Sequence, residues 1–103
     1  MAGLGDLMKQ AQRLKAEMDR IQAEAATKTV EGSAGGGMVT TLANGKGELL
    51  SVKIDPAVMR EEDLEMLQDL ITAAANDALR KARELLAQEV SRLTGGLGLP
   101  GLF

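Results

Sequence analysis

The chain has 103 residues, a formal net charge of −3 and 45% hydrophobic residues, with Phe103 as its only aromatic side chain, so aliphatics and methionines must fill a modest single core. With no cysteine and no histidine, disulfides, Cys/His zinc sites, thiol nucleophiles and triads that need an imidazole base are excluded. No apolar signal core opens the chain and no apolar run nears the roughly 18 residues that span a bilayer, so the expectation is a soluble, cytoplasmic protein without membrane contact.

The first quarter reads as a helix. Leu4, Leu7, Ala11, Leu14, Met18, Ile21 and Ala25 recur at alternating spacings of three and four, the a/d seam of a coiled coil. At about 100° per residue, Lys9, Arg13 and Arg20 fall within about 40° of one another, roughly opposite that seam. One side is apolar and the other holds a basic row.

The period then changes. "TKTVEG" reads as a strand and "GSAGGG" as a flexible connector or bulge, since it lacks the GK[ST] ending of a phosphate loop. Met38, Thr40 and Leu42 alternate up to Asn44-Gly45, and Leu50, Val52 and Ile54 resume the alternation beyond it, the pattern of a hairpin with a tight turn. The sheet is expected to have three antiparallel strands.

A second helical region follows Asp55-Pro56, a capping pair for a short turn. Glu61, Glu62 and Asp63 suit the positive end of the next helix, and that role explains them better than a divalent-cation site. From about residue 64 to 93, Leu67, Ile71, Ala74, Ala78, Ala82, Leu85, Val90 and Leu93 form a stripe that is small in its middle, where another backbone can come close. Asn76-Asp77, within the alanine stretch, sets register or faces water in preference to marking a functional polar spot. The helix is expected to end at Thr94-Gly95-Gly96, giving one domain over 1–94 and a flexible Gly/Leu-rich tail over 95–103.

Helix length constrains the assembly. About 22 and about 30 helical residues span roughly 33 Å and 45 Å, against roughly 30 to 35 Å for a compact domain of this size. Both helices must project beyond the sheet. Two apolar seams and sheet edges that need cover predict a homodimer with the sheet near its centre, the helices facing each other and the partner chain.

The segments "LMKQAQRLKAEM", "MVTTLANGKGELLSVKIDP", "LEMLQDLITAAANDALRKA" and "LGLPGLF", in this order along essentially the whole chain, resemble the YbaB/EbfC family of bacterial nucleoid-associated proteins. The resemblance implies an α+β fold with a long N-terminal helix, a three-stranded antiparallel sheet and a long C-terminal helix, assembled as a tweezer-like homodimer. It further implies a non-enzymatic protein of the cytoplasm and nucleoid, without cofactor or metal, whose protruding helices bind double-stranded DNA and organise the chromosome or regulate gene expression. On the matching helices the candidate DNA-binding residues are Lys9, Arg13, Lys15 and Arg20 in the first, and Arg80, Lys81, Arg83 and Arg92 in the last. Lys9 alone lies within a stretch that closely matches the family; the others follow by helix and charge.

The charge distribution sets the terms for such binding. Residues 1–28 hold five basic and four acidic side chains, 29–63 three and six, and 64–103 four and five, so the acid excess is concentrated in the middle. Contact with DNA must come from local patches on the arms, because the chain as a whole is weakly attracted to phosphate or repelled by it. Without aromatic side chains on the arms, base stacking on single strands is not expected.

The same cations also suit a plain ion-paired helix surface. Asp6, Glu17 and Glu24 flank the first row, while Asp77 and Glu84 stand four residues from Lys81 and Arg80. A second function class is a dimeric protein-interaction module within recombination or replication machinery, docking through the arms or the tail; Met8, Met18 and Met66 suit such an adaptable surface but suit core packing better. No carboxylate pair sits in a pocket-forming context, and enzyme activity is not expected.

Overall fold

The computed structural model describes residues 3–96, with side chains through residue 93. Helix α1 (Leu4–Thr27) leads into strands β1 (Thr29–Ala34), β2 (Val39–Asn44) and β3 (Leu49–Ile54), and helix α2 (Leu64–Gly96) follows two 3₁₀ turns. The strands form one antiparallel sheet in the order β1-β2-β3. The molecule measures 72 × 23 × 17 Å with a radius of gyration of 19.6 Å, against about 13 Å for a compact domain of this length. The helices project well past the sheet, as their lengths require.

Small residues decide how α2 meets the sheet. Ala74, Ala78 and Ala82 are fully buried, and a Cβ on Gly32 of β1 would run into the Ala74 carbonyl and the Ala78 backbone and methyl. Where helix and sheet come this close, the Thr41 hydroxyl of β2 donates to the Ala74 carbonyl at 2.7 Å, satisfying a buried polar group. The larger core residues lie toward the start of α2. Val39, Val58 and Leu67 pack around Ala74, and burying each contributes about 1.5–3 kcal/mol.

The inward face of β2 consists of Val39, Thr41 and Ala43, which are buried; Met38 and Thr40, on the alternation read from sequence, fall outside that set. The register pairs Val39 with Ile54 and Thr41 with Val52, so the apolar side of β3 shares the face of these smaller residues. The close approach of α2 selects small side chains over the more apolar alternation.

The hairpin turn is also longer than the tight Asn-Gly turn expected. Asn44 is buried, and its side-chain oxygen accepts from the backbone N–H of Lys46 at 3.0 Å and of Glu48 at 3.1 Å. Gly47 closes the loop at φ +88°. Gly45 turns away from the hairpin, donating its N–H to the carbonyls of Ala25 at 2.9 Å and Lys28 at 3.1 Å. That bond satisfies carbonyls at the end of α1 and ties the arm to the sheet.

Asp55 caps the turn at Pro56–Val58, accepting from the Ala57 N–H at 2.9 Å, and Glu61–Asp63 lead into α2. Helix α2 extends through Gly96, within the expected stop at Thr94-Gly95-Gly96, and residues 97–103 of the expected tail lie outside the described residues.

The two edges of the sheet differ. On β1, Asp77 accepts from the Ser33 N–H at 3.1 Å and Lys81 donates to the Glu31 carbonyl at 2.9 Å, so side chains from α2 occupy outward backbone groups of that edge. On β3, Leu49, Leu50 and Val52 are exposed. Among the described residues the seam of α1 is likewise buried only at Ile21 and Ala25, with Met18 partly covered, while Leu4, Leu7 and Leu14 are exposed.

Candidate nucleic-acid interface

The candidate cations fall into three environments. Arg13, Glu17, Arg20 and Glu24 follow one face of α1 at spacings of four, three and four, and Lys9 extends that face toward the tip. Arg20 donates to Glu17 at 2.6 Å and to Glu24 at 2.8 Å, and these hydrogen bonds, Glu17's first, raise its already high pKa. Opposite this face, α2 presents Glu89, Arg92 and Leu93. Together the two helices enclose an open cleft of about 510 Å³ lined by Arg13, Glu17, Arg20, Ile21, Glu24, Glu89, Arg92 and Leu93.

Glu89 lies at the root of the cleft and is buried. Its carboxylate accepts from Lys28 Nζ at 2.5 Å and from Arg92 Nη1 at 3.5 Å. The Lys28 hydrogen bond, aided by the nearby arginines, holds the Glu89 carboxyl below the usual carboxylate range despite its burial. Sequence reasoning passed over both Lys28 and Glu89. A signal was available: Glu89 stands seven residues after Ala82, in the phase of the buried stripe, where an acid calls for a partner.

The remaining candidates point elsewhere. Arg80 donates to Asp77 and Glu84, each at 2.8 Å, while Lys81 is engaged with Asp77 and the Glu31 carbonyl. The Ser33 N–H, followed by Arg80 and Lys81, lowers the Asp77 pKa. Asp77 thus sets the register of α2 against β1, one of the roles expected of Asn76-Asp77. Lys15 pairs with Asp19 at 3.0 Å on the exposed side of α1. Lys9, Arg13 and Arg83 have no ion-pair partner among the described residues, nor do Lys46 and Lys53 of the hairpin.

The structure therefore brings Arg13, Arg20 and Arg92 around one cleft, with Lys9 beyond it on α1, and leaves Arg80, Lys81 and Arg83 along α2. Among the described residues no group of three or more acidic side chains is arranged to hold a metal ion, and no helix is long and apolar enough to cross a membrane.

Comparison with known proteins gives this surface a context. A nucleoid-associated protein of Syntrophobacter fumaroxidans is 57% identical over 95 residues, covering 92% of this chain and 86% of its own. One from Thermoanaerobacter sp. strain X514 is 49% identical over 100 residues, covering 97% and 90%. The crystal structure of an uncharacterized protein from Helicobacter pylori superposes with a TM-score of 0.79 at 25% identity, over 90% of this chain and 98% of that one. The model of the YbaB/EbfC DNA-binding family matches residues 1–97, and the chain belongs to that family.

Proposed function

We propose that the protein binds double-stranded DNA as a homodimer, gripping the phosphate backbone with its helical arms, in the bacterial cytoplasm at the nucleoid. The observation that supports this most is the protruding α1 face on which Lys9 and Arg13 stand exposed, with no ion-pair partner among the described residues, next to the exposed Arg20 and Arg92. Each chain has a net charge of −3, so the contact is local: cations on the arms meet phosphates while the acidic middle segment stays clear of the duplex. Lys15, Arg80, Lys81 and Arg83 complete the proposed set, with Lys81 the least available because it is bonded to β1.

The dimer is supported by the asymmetry of the sheet. β1 is occupied by Asp77 and Lys81, whereas among the described residues no strand pairs with the outer edge of β3, beside exposed Leu49, Leu50 and Val52. A second copy added there sets the sheets at the centre and directs two pairs of arms outward. Exposed Leu4, Leu7, Met8 and Leu14 support the second reading, a protein-interaction module serving recombination or replication proteins.

Fluorescence anisotropy with a labelled duplex of arbitrary sequence separates the two. A dimer engaging about six phosphates gives a log–log salt slope near −5. Binding that steep, and reduced in a folded Lys9→Ala/Arg13→Ala/Arg20→Ala variant, is the expected result. No binding at low salt overturns the DNA reading in favour of a protein partner.

A further inference from the structure

We infer that Glu89 is a positioning residue for DNA binding: it holds Arg92 and the end of α1 together, so that Arg13, Arg20 and Arg92 stand around a single cleft. The inference rests on the proposed DNA-binding reading and deepens it. Among the described residues Glu89 is the only buried charged side chain, and its two oxygens are divided between the helices, one accepting from Lys28 just past the end of α1 and the other from Arg92 on α2.

An acid in a cleft meant for phosphate can act in two opposite ways. As a bare charge it repels DNA. As a clasp it strengthens binding, because cations that repel one another stay close only with a carboxylate between them. Geometry favours the clasp. Glu89 is buried at the root of the cleft, whereas Arg92 and Arg20 are largely exposed at its mouth, so the carboxylate is withdrawn from any bound phosphate while its partners reach outward. The α1–α2 packing beside it is thin: Ile21 and Ala25 are the buried residues of α1, so a lost ion pair there is poorly backed by apolar contact.

The two roles predict opposite signs for one substitution. Glu89→Gln keeps the shape of the side chain and makes each chain more positive by one. A repelling charge, once removed, leaves affinity for a duplex equal or higher. A lost clasp lowers affinity about tenfold, the scale of one charge-assisted contact, despite the added positive charge.

The experiment measures anisotropy with a 30-base-pair duplex at fixed salt for the wild type, Glu89→Gln, Arg92→Ala and the double variant, with circular dichroism to check folding. The expected result is about tenfold weaker binding by Glu89→Gln and a smaller loss when that change is added to Arg92→Ala, where only the Lys28 bond remains to be broken. Affinity that is unchanged or higher in folded Glu89→Gln overturns the inference. So does an undiminished loss in the Arg92→Ala background.

If Glu89→Gln does not fold, Lys28→Met and Lys46→Met decide. Each removes one cation, but Lys28 is bonded to Glu89 and Lys46 has no ion-pair partner among the described residues. Lys28→Met is expected to bind several-fold more weakly than Lys46→Met, and equal affinities overturn the inference. A wild-type protein that does not bind the duplex at low salt overturns the DNA reading itself, a failure visible before any variant is compared.

Discussion

The two helices share a period but not a fate. In the stretch of α2 over the sheet, apolar residues every three or four positions are buried at Leu67, Ala74, Ala78 and Ala82. In the first four turns of α1, the same spacing leaves Leu4, Leu7 and Leu14 in solvent. The difference lies in what stands opposite. Alanines on α2 meet Gly32 and Thr41 closely enough for backbone contact, whereas the larger leucines of α1 extend beyond the sheet and stay exposed among the described residues. A periodic stripe marks a face that can be covered, and side-chain size together with reach decides whether one chain can cover it.

Substitutions on the two sides of this contrast should differ in size. The largest effect is expected at Gly32→Leu, whose side chain enters space already held by the Ala74 carbonyl and the Ala78 backbone. A loss of about 3 kcal/mol or more, the upper range of overpacking, should appear in denaturant unfolding followed by circular dichroism. A loss below about 1 kcal/mol would mean that α2 does not sit tightly on β1.

Gly45→Ala tests the joint between the halves. Its Cβ would lie 2.8 Å from the Ala25 carbonyl oxygen and 2.9 Å from the Ala25 methyl. About 1–2 kcal/mol should be lost, with helix signal falling early in the transition as α1 detaches.

Asp77→Asn acts through pH. The folded state holds this carboxyl below its ordinary pKa, chiefly through the Ser33 N–H, so its stabilisation is complete at neutral pH and lost as pH falls through the usual carboxylate range and below. The variant should be less stable at neutral pH and show a flatter stability profile into acid. A profile parallel to the wild type would remove Asp77 from the β1 edge.

The smallest effect is expected at Leu7→Gln on the open part of α1, within about 0.5 kcal/mol for the isolated chain. A larger loss that grows with protein concentration would show that a second chain covers this seam.

These contrasts also explain what could be read from the sequence. Both long helices, the strand of "TKTVEG", the cap at Asp55-Pro56 and the closely packed alanine stripe follow from local pattern, because each depends on residues near one another in the chain. The buried parity of β2 did not, since Val39, Thr41 and Ala43 are selected by an approaching helix and are no more apolar than their neighbours. The turn is longer than its Asn-Gly pair suggests because Gly45 serves α1 through a bond to Ala25, a contact made across a long stretch of sequence.

The candidate site was legible in the same uneven way. The face shared by Lys9, Arg13 and Arg20 follows from helical geometry, while the meeting of Arg20 with Arg92 depends on how α1 and α2 cross. Lys28 and Glu89, 61 residues apart, escape any local pattern, and Lys81 looks like an ordinary surface cation until β1 is placed beside it.

The bonds from Asp77 and Lys81 to β1 bear on stoichiometry. A sheet open at both sides can recruit copies without limit, as fibrils do, whereas here side chains already occupy one of the two flanks. Growth through β3 would consume the open flank of both copies and leave two occupied ones outside, so addition would stop by itself at a pair.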